Sequence, residues 1–339
     1  MRTLLLYLCL ALAGSAVADA EVPSATLDNG VLHAIVYLPD TSKGFYRGTR
    51  FDWSGVIANL TFAGHSYYGP WFTKQDPSVR DFIFKGPDII AGSCSSITGP
   101  AEEFVSPLGF DQTTPGQTFV KIGVGVLRRP DDQKYDMFRQ YQIVDSGQWT
   151  VEKRTDSIRF VQRLSDPKTG YAYLYTKELR VLPNKPVLAI SHMLKNVGRL
   201  PIETNVYNHN FLVLDRQPTG PNFSIVMPFT IKPEGPIKQD LGEVTGNKIL
   251  YRRPLQGTDV FTVHIGGFSQ TPKDYDIRIE NRRLGVGLRI TGDHPLEKEE
   301  LWSIRSILAI EPFVHLAVAP GETVKWSHSY RYYTLNKTQ

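Results

Sequence analysis

Residues 171–211 read YAYLYTKELRVLPNKPVLAISHMLKNVGRLPIETNVYNHNF. Three runs in it, 171–182, 187–194 and 202–211, are rich in β-branched and aromatic residues, and Pro183-Asn184 and Asn196-Val197-Gly198 interrupt them. Such side chains suit a pleated, half-buried surface, while Pro, Asn and Gly suit the turns between strands. The same texture extends in both directions. It predicts strands over 31–38, 56–62, 118–127, 139–144 and 158–164 upstream, and over 223–231, 260–266, 277–280, 285–290, 304–310 and 323–335 downstream. Strands at this spacing without alternating helices predict an all-β chain of large antiparallel sheets packed face to face. Only 295–301, with Glu297-Lys298-Glu299-Glu300, reads as a short helical turn.

Composition narrows the class. The 339 residues are 41% hydrophobic and 21% charged, enough to bury a large core and too apolar for a disordered chain. A formal net charge of +4, with no Lys/Arg stripe, excludes a nucleic-acid binder driven by a strong basic field. No linker, charge block or internal repeat divides 21–339, which predicts a single domain. Residues 1–20 have the form of a signal peptide: Arg2, an apolar run over 4–13, and Ala16-Val17-Ala18 or Ala18-Asp19-Ala20 as cleavage site. The expectation is therefore a secreted or periplasmic protein with no membrane anchor after cleavage. Removal of Cys9 leaves Cys94 alone, so no internal disulfide is expected. Asn59, Asn222 and Asn336 head Asn-x-Ser/Thr triplets, which matter in a eukaryotic source. The Pro- and Gly-rich stretch 67–116 has little periodicity, and its Tyr67, Tyr68, Trp71, Phe72 and Glu102-Glu103 suggest the wall or lid of a site.

Two residues stand out chemically. Glu311 is the only acid between Ile307 and Ala319. A carboxylate in so apolar a strand is paired, or loss of hydration raises its pKa toward what a general base near neutral pH requires. Pro312 holds Glu311 in extended backbone. The plainer alternatives are a solvated edge position or an ion pair with Arg305. His209 shares one face of an extended 204–211 segment with Asn205, Tyr207 and Phe211, a face of amide, phenol, imidazole and aromatic ring that suits a sugar; its plainer role is structural. His65 reads as a hairpin tip, and His192, His264 and His315 occur singly within strands. No His or Cys pair has zinc-ligand spacing, and phosphate-binding glycine loops and nucleophile elbows are lacking. No metal and no cofactor are expected.

Tyr175-Thr176-Lys177-Glu178-Leu179-Arg180-Val181, the run 188–196 and Thr204-Asn205-Val206-Tyr207-Asn208-His209-Asn210-Phe211 resemble the middle of the galactose mutarotase-like superfamily, which includes aldose 1-epimerases. Ile310-Glu311-Pro312-Phe313, the turn Pro320-Gly321-Glu322 and the Trp/Tyr-rich 326–333 resemble its C-terminal part, and 55–64 its first hairpin. The resemblance implies a β-supersandwich, His209 as general acid and Glu311 as catalytic glutamate. Arg47 or Arg50 is the counterpart of an arginine directed at the sugar, and Arg50, Tyr207 and Asn208 are the expected substrate contacts. Where the family carries an upstream histidine in a His-Gly-Gly context, this chain has Gly99-Pro100-Ala101-Glu102-Glu103-Phe104.

The implied reaction is interconversion of sugar anomers. Glu311 takes the C1 hydroxyl proton, His209 as imidazolium protonates the ring oxygen, the C1–C2 bond rotates in the open form, and closure reverses the roles. Two other readings remain open. One is a polysaccharide lyase in which Tyr207 or His209 removes the proton beside a uronate carboxylate neutralised by Asn208 and Arg50. The other is a carbohydrate-binding protein without catalysis. In each the partner is a sugar or glycan, and an exported setting disfavours phosphorylated sugars.

Overall fold

The computed structural model describes residues 22–335; the signal-peptide reading of 1–20 and the acceptor site at Asn336 lie outside them. Two sheets dominate. A ten-stranded antiparallel sheet runs in the order Gln148–Lys153, Ser157–Ser165, Ala172–Val181, Val187–Asn196, Thr323–Thr334, Val286–Gly292, Asp276–Asn281, Phe223–Val226, Lys248–Tyr251, Gly242–Thr245. A six-stranded sheet runs Lys232–Pro233, Phe261–Gly266, Lys298–Ile304, Ile307–Val318, Ile202–Phe211, Gly99–Phe104. The three runs that open the sequence reading thus split. The first two pair as neighbours in the larger sheet, while Ile202–Phe211 crosses into the smaller one beside Ile307–Val318.

The two sheets bury a common apolar layer that includes Tyr173, Leu179, Ile190, Val206, Ile310, Val314, Trp326 and Tyr330. A second apolar cluster, with Tyr46, Phe51, Trp53, Trp71, Phe119, Phe211, Ile304 and Ile307, covers the other face of the six-stranded sheet. Each fully buried side chain of this size contributes roughly 1.5–3 kcal/mol relative to exposure. The burial pattern along the strands records the two layers. In Ile307–Val318 the first eight residues are buried, and alternation with exposed positions begins only at His315. Ile202–Phe211, running antiparallel to it, alternates at first and is buried throughout from Val206. Glu311 and His209 therefore lie where the sheet is covered on both faces.

One sequence expectation is corrected and another is refined. Residues 295–301 form no helical turn: Lys298–Ile304 is a strand between Phe261–Gly266 and Ile307–Val318. Its charges read as helical, yet alternation buries Glu299 and Leu301 on one face while Lys298 and Glu300 occupy the other. The stretch 67–116 is mostly turn and loop, with short strands set into it. It holds Lys74–Gln75, Phe82–Lys85 and Asp88–Ala91 as a small three-stranded sheet, and Gly99–Phe104 as the edge of the six-stranded sheet. Little periodicity shows there because these strands are short and their turns carry the Pro and Gly.

Candidate active site

Register alone brings the two chemically unusual residues together. Tyr207 pairs with Phe313 in the ladder, and a bridge joins Leu212 to Leu308 in the same register, so His209 falls opposite Glu311. Directly opposed residues have Cβ atoms only about 4.5–5.5 Å apart, and His209 Nε2 lies 3.3 Å from Glu311 Oε1. Strand alternation places Tyr207, His209 and Phe211 on the outer face of the six-stranded sheet. The His209 ring stacks on Phe211 at 3.7 Å between centroids and meets Phe51 and Trp302 edge-on.

Both members of the pair are shielded from water, with 5% of His209 and 8% of Glu311 exposed. Burial pushes the Glu311 carboxyl up to about 8, and the neighbouring acids Glu300 and Glu103 add to the rise while Arg50 opposes it. Glu300 lies directly across the ladder from Glu311 on its other side. Burial, and then the charge of Arg50, hold the His209 imidazole well below its usual value. From neutral pH up to about 8 the pair accordingly carries one proton between an acid and a base in contact. This differs from the expected carboxylate facing an imidazolium across a substrate ring. In a desolvated site the neutral arrangement of the same single proton costs less than two separated charges.

Arg50 is anchored beside them. Its Nε donates to Glu103 Oε2 at 2.7 Å and its Nη2 to the Tyr207 hydroxyl at 2.9 Å; Tyr207 in turn donates to Glu103 Oε2 at 2.6 Å. Lys121 Nζ donates to the other Glu103 oxygen at 3.1 Å, and these positive charges keep buried Glu103 ionised despite desolvation. Asn208 is the exception among the expected substrate contacts. Alternation turns it to the opposite face, fully buried, where its Nδ2 donates to the Tyr330 hydroxyl at 2.8 Å. The same alternation separates Glu103 from Glu102. Glu102 points between the sheets and takes hydrogen bonds from His192 Nε2 at 2.9 Å and from Lys177. Arg305 does not pair with Glu311; its guanidinium binds backbone carbonyls of Gly86, Pro87, Asp88 and Gly257.

A cavity of about 180 Å³ opens over His209 and Glu311, lined by Arg50, Trp71, Asp81, Phe82, Ser95, Phe138, Phe211 and Trp302. The stretch 67–116 does supply one wall of it. Of its flagged aromatics Trp71 reaches the cavity, Phe72 packs edge-on against Trp71, and Tyr67 and Tyr68 are absorbed into the core against Tyr332. The sequence reading misses Asp81, Phe138 and Trp302, because no periodicity or motif marks them and only the chain path brings them here.

The remaining histidines lie elsewhere. His65 Nδ1 is 2.6 Å from Asp215 Oδ2, His264 pairs with Glu300 and His315 with Asn205. Sequence spacing pairs no metal ligands, yet Glu102, His192 and His328 each bring a ligand atom to within 4.8 Å of the others. Lys177 already supplies Glu102 and Asp52 with positive charge there, so the residues behave as a structural network between the sheets.

Solved structures share this architecture across nearly the whole chain. The Slr1438 protein from Synechocystis sp. PCC 6803 superposes with a TM-score of 0.56 at 11% identity, covering 95% of this chain and 100% of that one. A GalM/aldose epimerase homologue from C. elegans gives 0.52 at 13% identity over 93% and 100%. A galactose mutarotase-like protein from Clostridium acetobutylicum gives 0.52 at 11% over 91% and 95%. The chain thus has the galactose mutarotase-like fold. No family model and no curated protein match its sequence.

Proposed function

We propose that the protein is an exported isomerase that interconverts the anomers of a free sugar by acid–base chemistry between Glu311 and His209. The observation that carries this reading is the buried pair, in contact at 3.3 Å on the floor of an aromatic-walled cavity. The fold's likeness to aldose epimerase homologues supports it only as analogy. Mutarotation requires one group that gives a proton to the ring oxygen while another takes one from the C1 hydroxyl, and then the reverse. A pair sharing a single proton meets that need in either direction: whichever holds it is the acid, and the roles exchange on ring closure. For this the two side chains part and receive the sugar's O1 and O5 between them. No step calls for a cofactor.

The lyase reading loses its main support. Arg50, which would neutralise a uronate carboxylate, already serves Glu103 and Tyr207, and Asn208 faces away. The test is anomer exchange of freshly dissolved aldoses, followed by polarimetry or saturation-transfer NMR. Wild-type protein should accelerate it, and His209→Asn and Glu311→Gln should each lose about 100- to 10,000-fold. Retained exchange in either variant would sink the assignment, and sugar binding without turnover in the wild type would favour a binding protein. Export is tested by the N-terminus of the protein recovered outside the cytoplasm, expected just after Ala18 or Ala20.

A further inference from the structure

The wall facing the sheet carries a second carboxylate that the anomer chemistry does not use. Asp81 borders the cavity, and its Oδ1 accepts a hydrogen bond from Ser95 Oγ at 2.6 Å. Its backbone carbonyl accepts the Gly92 N–H at 2.7 Å. The loops at that point are packed so closely that a Cβ on Gly92 would meet the Val79 carbonyl at 2.0 Å. Asp81 is therefore held in place, and among the described residues its Oδ2 has no hydrogen-bond partner. Arg50 shows the complementary feature: Nε and Nη2 are committed to Glu103 and Tyr207, whereas Nη1 donates to none of the described residues. Burial raises the Asp81 pKa, opposed by the Ser95 hydrogen bond and by the charges of Arg50 and Arg80, and Asp81 and Arg50 form no ion pair. A guanidinium and a carboxylate that line one cavity without an ion pair between them leave room for a group that is acceptor to one and donor to the other. A hydroxyl does both; a ligand carboxylate or phosphate does not.

We infer that Asp81 is the specificity-determining residue of this site: with Arg50 it holds a ring hydroxyl of a neutral sugar, and it bars acidic sugars. The inference rests on the carbohydrate reading above. A uronate brought into so small a cavity would set its carboxylate against Asp81, with the compensating charge of Arg50 already shared with Glu103. The loss of a hydrogen bond to a charged group, with the hydroxyl left unpaired, corresponds to about 10- to 100-fold in affinity.

Calorimetric titration of the full chain with D-glucose, D-galactose, their monodeoxy analogues and the matching uronic acids tests this. Wild type should bind neutral hexoses and not uronates. Asp81→Asn should weaken neutral sugars about 10- to 100-fold, bind one particular deoxy analogue as well as its parent, and gain affinity for uronates. Ser95→Ala, which frees Asp81 without removing it, should keep the exclusion of uronates. Unchanged neutral-sugar affinity and an unchanged deoxy profile in folded Asp81→Asn would overturn the inference while the isomerase reading stood. Tight uronate binding by the wild type would do the same, whereas a wild type that binds no sugar would take the carbohydrate reading with it.

Discussion

The behaviour of the site with pH follows from one carboxyl. Glu311 is held at about 8 by burial against an ordinary carboxylate value of 4.5, and His209 is displaced downward for the same reason. Between these limits the pair holds the single proton that acid–base exchange requires. As pH rises through about 8 Glu311 loses it, and the pair becomes two bases with no acid. The rate kcat/KM should therefore be level across neutral pH and fall on the alkaline side near pH 8, while the acid limb lies well below the usual histidine range. A pH–rate profile reads this directly; an alkaline fall that survives in the residual activity of Glu311→Gln would assign the limb to another group. Sequence order exposes Glu311 because an acid in an apolar run is anomalous wherever it occurs. His209 is visible as one polar member of a strand face and, through the family resemblance, as the acid expected to work with Glu311; that the two touch is not visible, since contact between residues a hundred positions apart depends on which strands pair.

At the scale of elements, the segment that carries Phe138 meets the cavity through that ring. Two guanidiniums lie over its ring, Arg50 at 4.8 Å and Arg80 at 4.7 Å, and Arg80 also clasps Asp136 with two hydrogen bonds of 2.8 Å. Arg80 is exposed, so its ion pair adds at most about 1 kcal/mol to global stability. Arg80→Ala should leave the unfolding midpoint nearly unchanged while speeding sugar release, because it removes a cation packed on the Phe138 ring that lines the cavity. Phe138→Ala should act more strongly, by about tenfold in Kd, since it also removes a ring from the wall. Stopped-flow dissociation separates these effects, and equal release rates for wild type and Phe138→Ala would show that the segment does not close the site. These strands also show where pattern reading falters. Short strands such as Phe82–Lys85, and a charged one such as Lys298–Ile304, have too few residues or too many polar ones to display their period, and their pairing supplies what their composition does not.

For the whole molecule, the six-stranded sheet separates two polar systems: the cavity with Arg50, Glu103, Tyr207, His209 and Glu311 on one face, and Asp52, Glu102, Lys177 and His192 between the sheets on the other. Lys177, 1% exposed, donates to Glu102 and to the Ser54 carbonyl and lies 3.5 Å from Asp52. Breaking so buried a pairing leaves uncompensated charge, so Lys177→Met should destabilise the fold by about 3–5 kcal/mol in chemical denaturation. The double variant with Glu102→Gln should recover part of that loss; a single variant as stable as wild type would show that the network carries no structural burden. The all-β class and most strands were readable from residue order, because alternation and turn chemistry are local properties of the chain. So was the oddity of Glu311, because hydration of a charge is lost in any apolar strand. Tertiary structure alone decided that His209 meets Glu311, that Asn208 and Glu102 face inward while their neighbours face the cavity, and that Asp81 joins the site. The first two depend on register between distant strands, where a shift of one residue would turn every side chain to the other face, and the last on the path of the loop that carries Asp81.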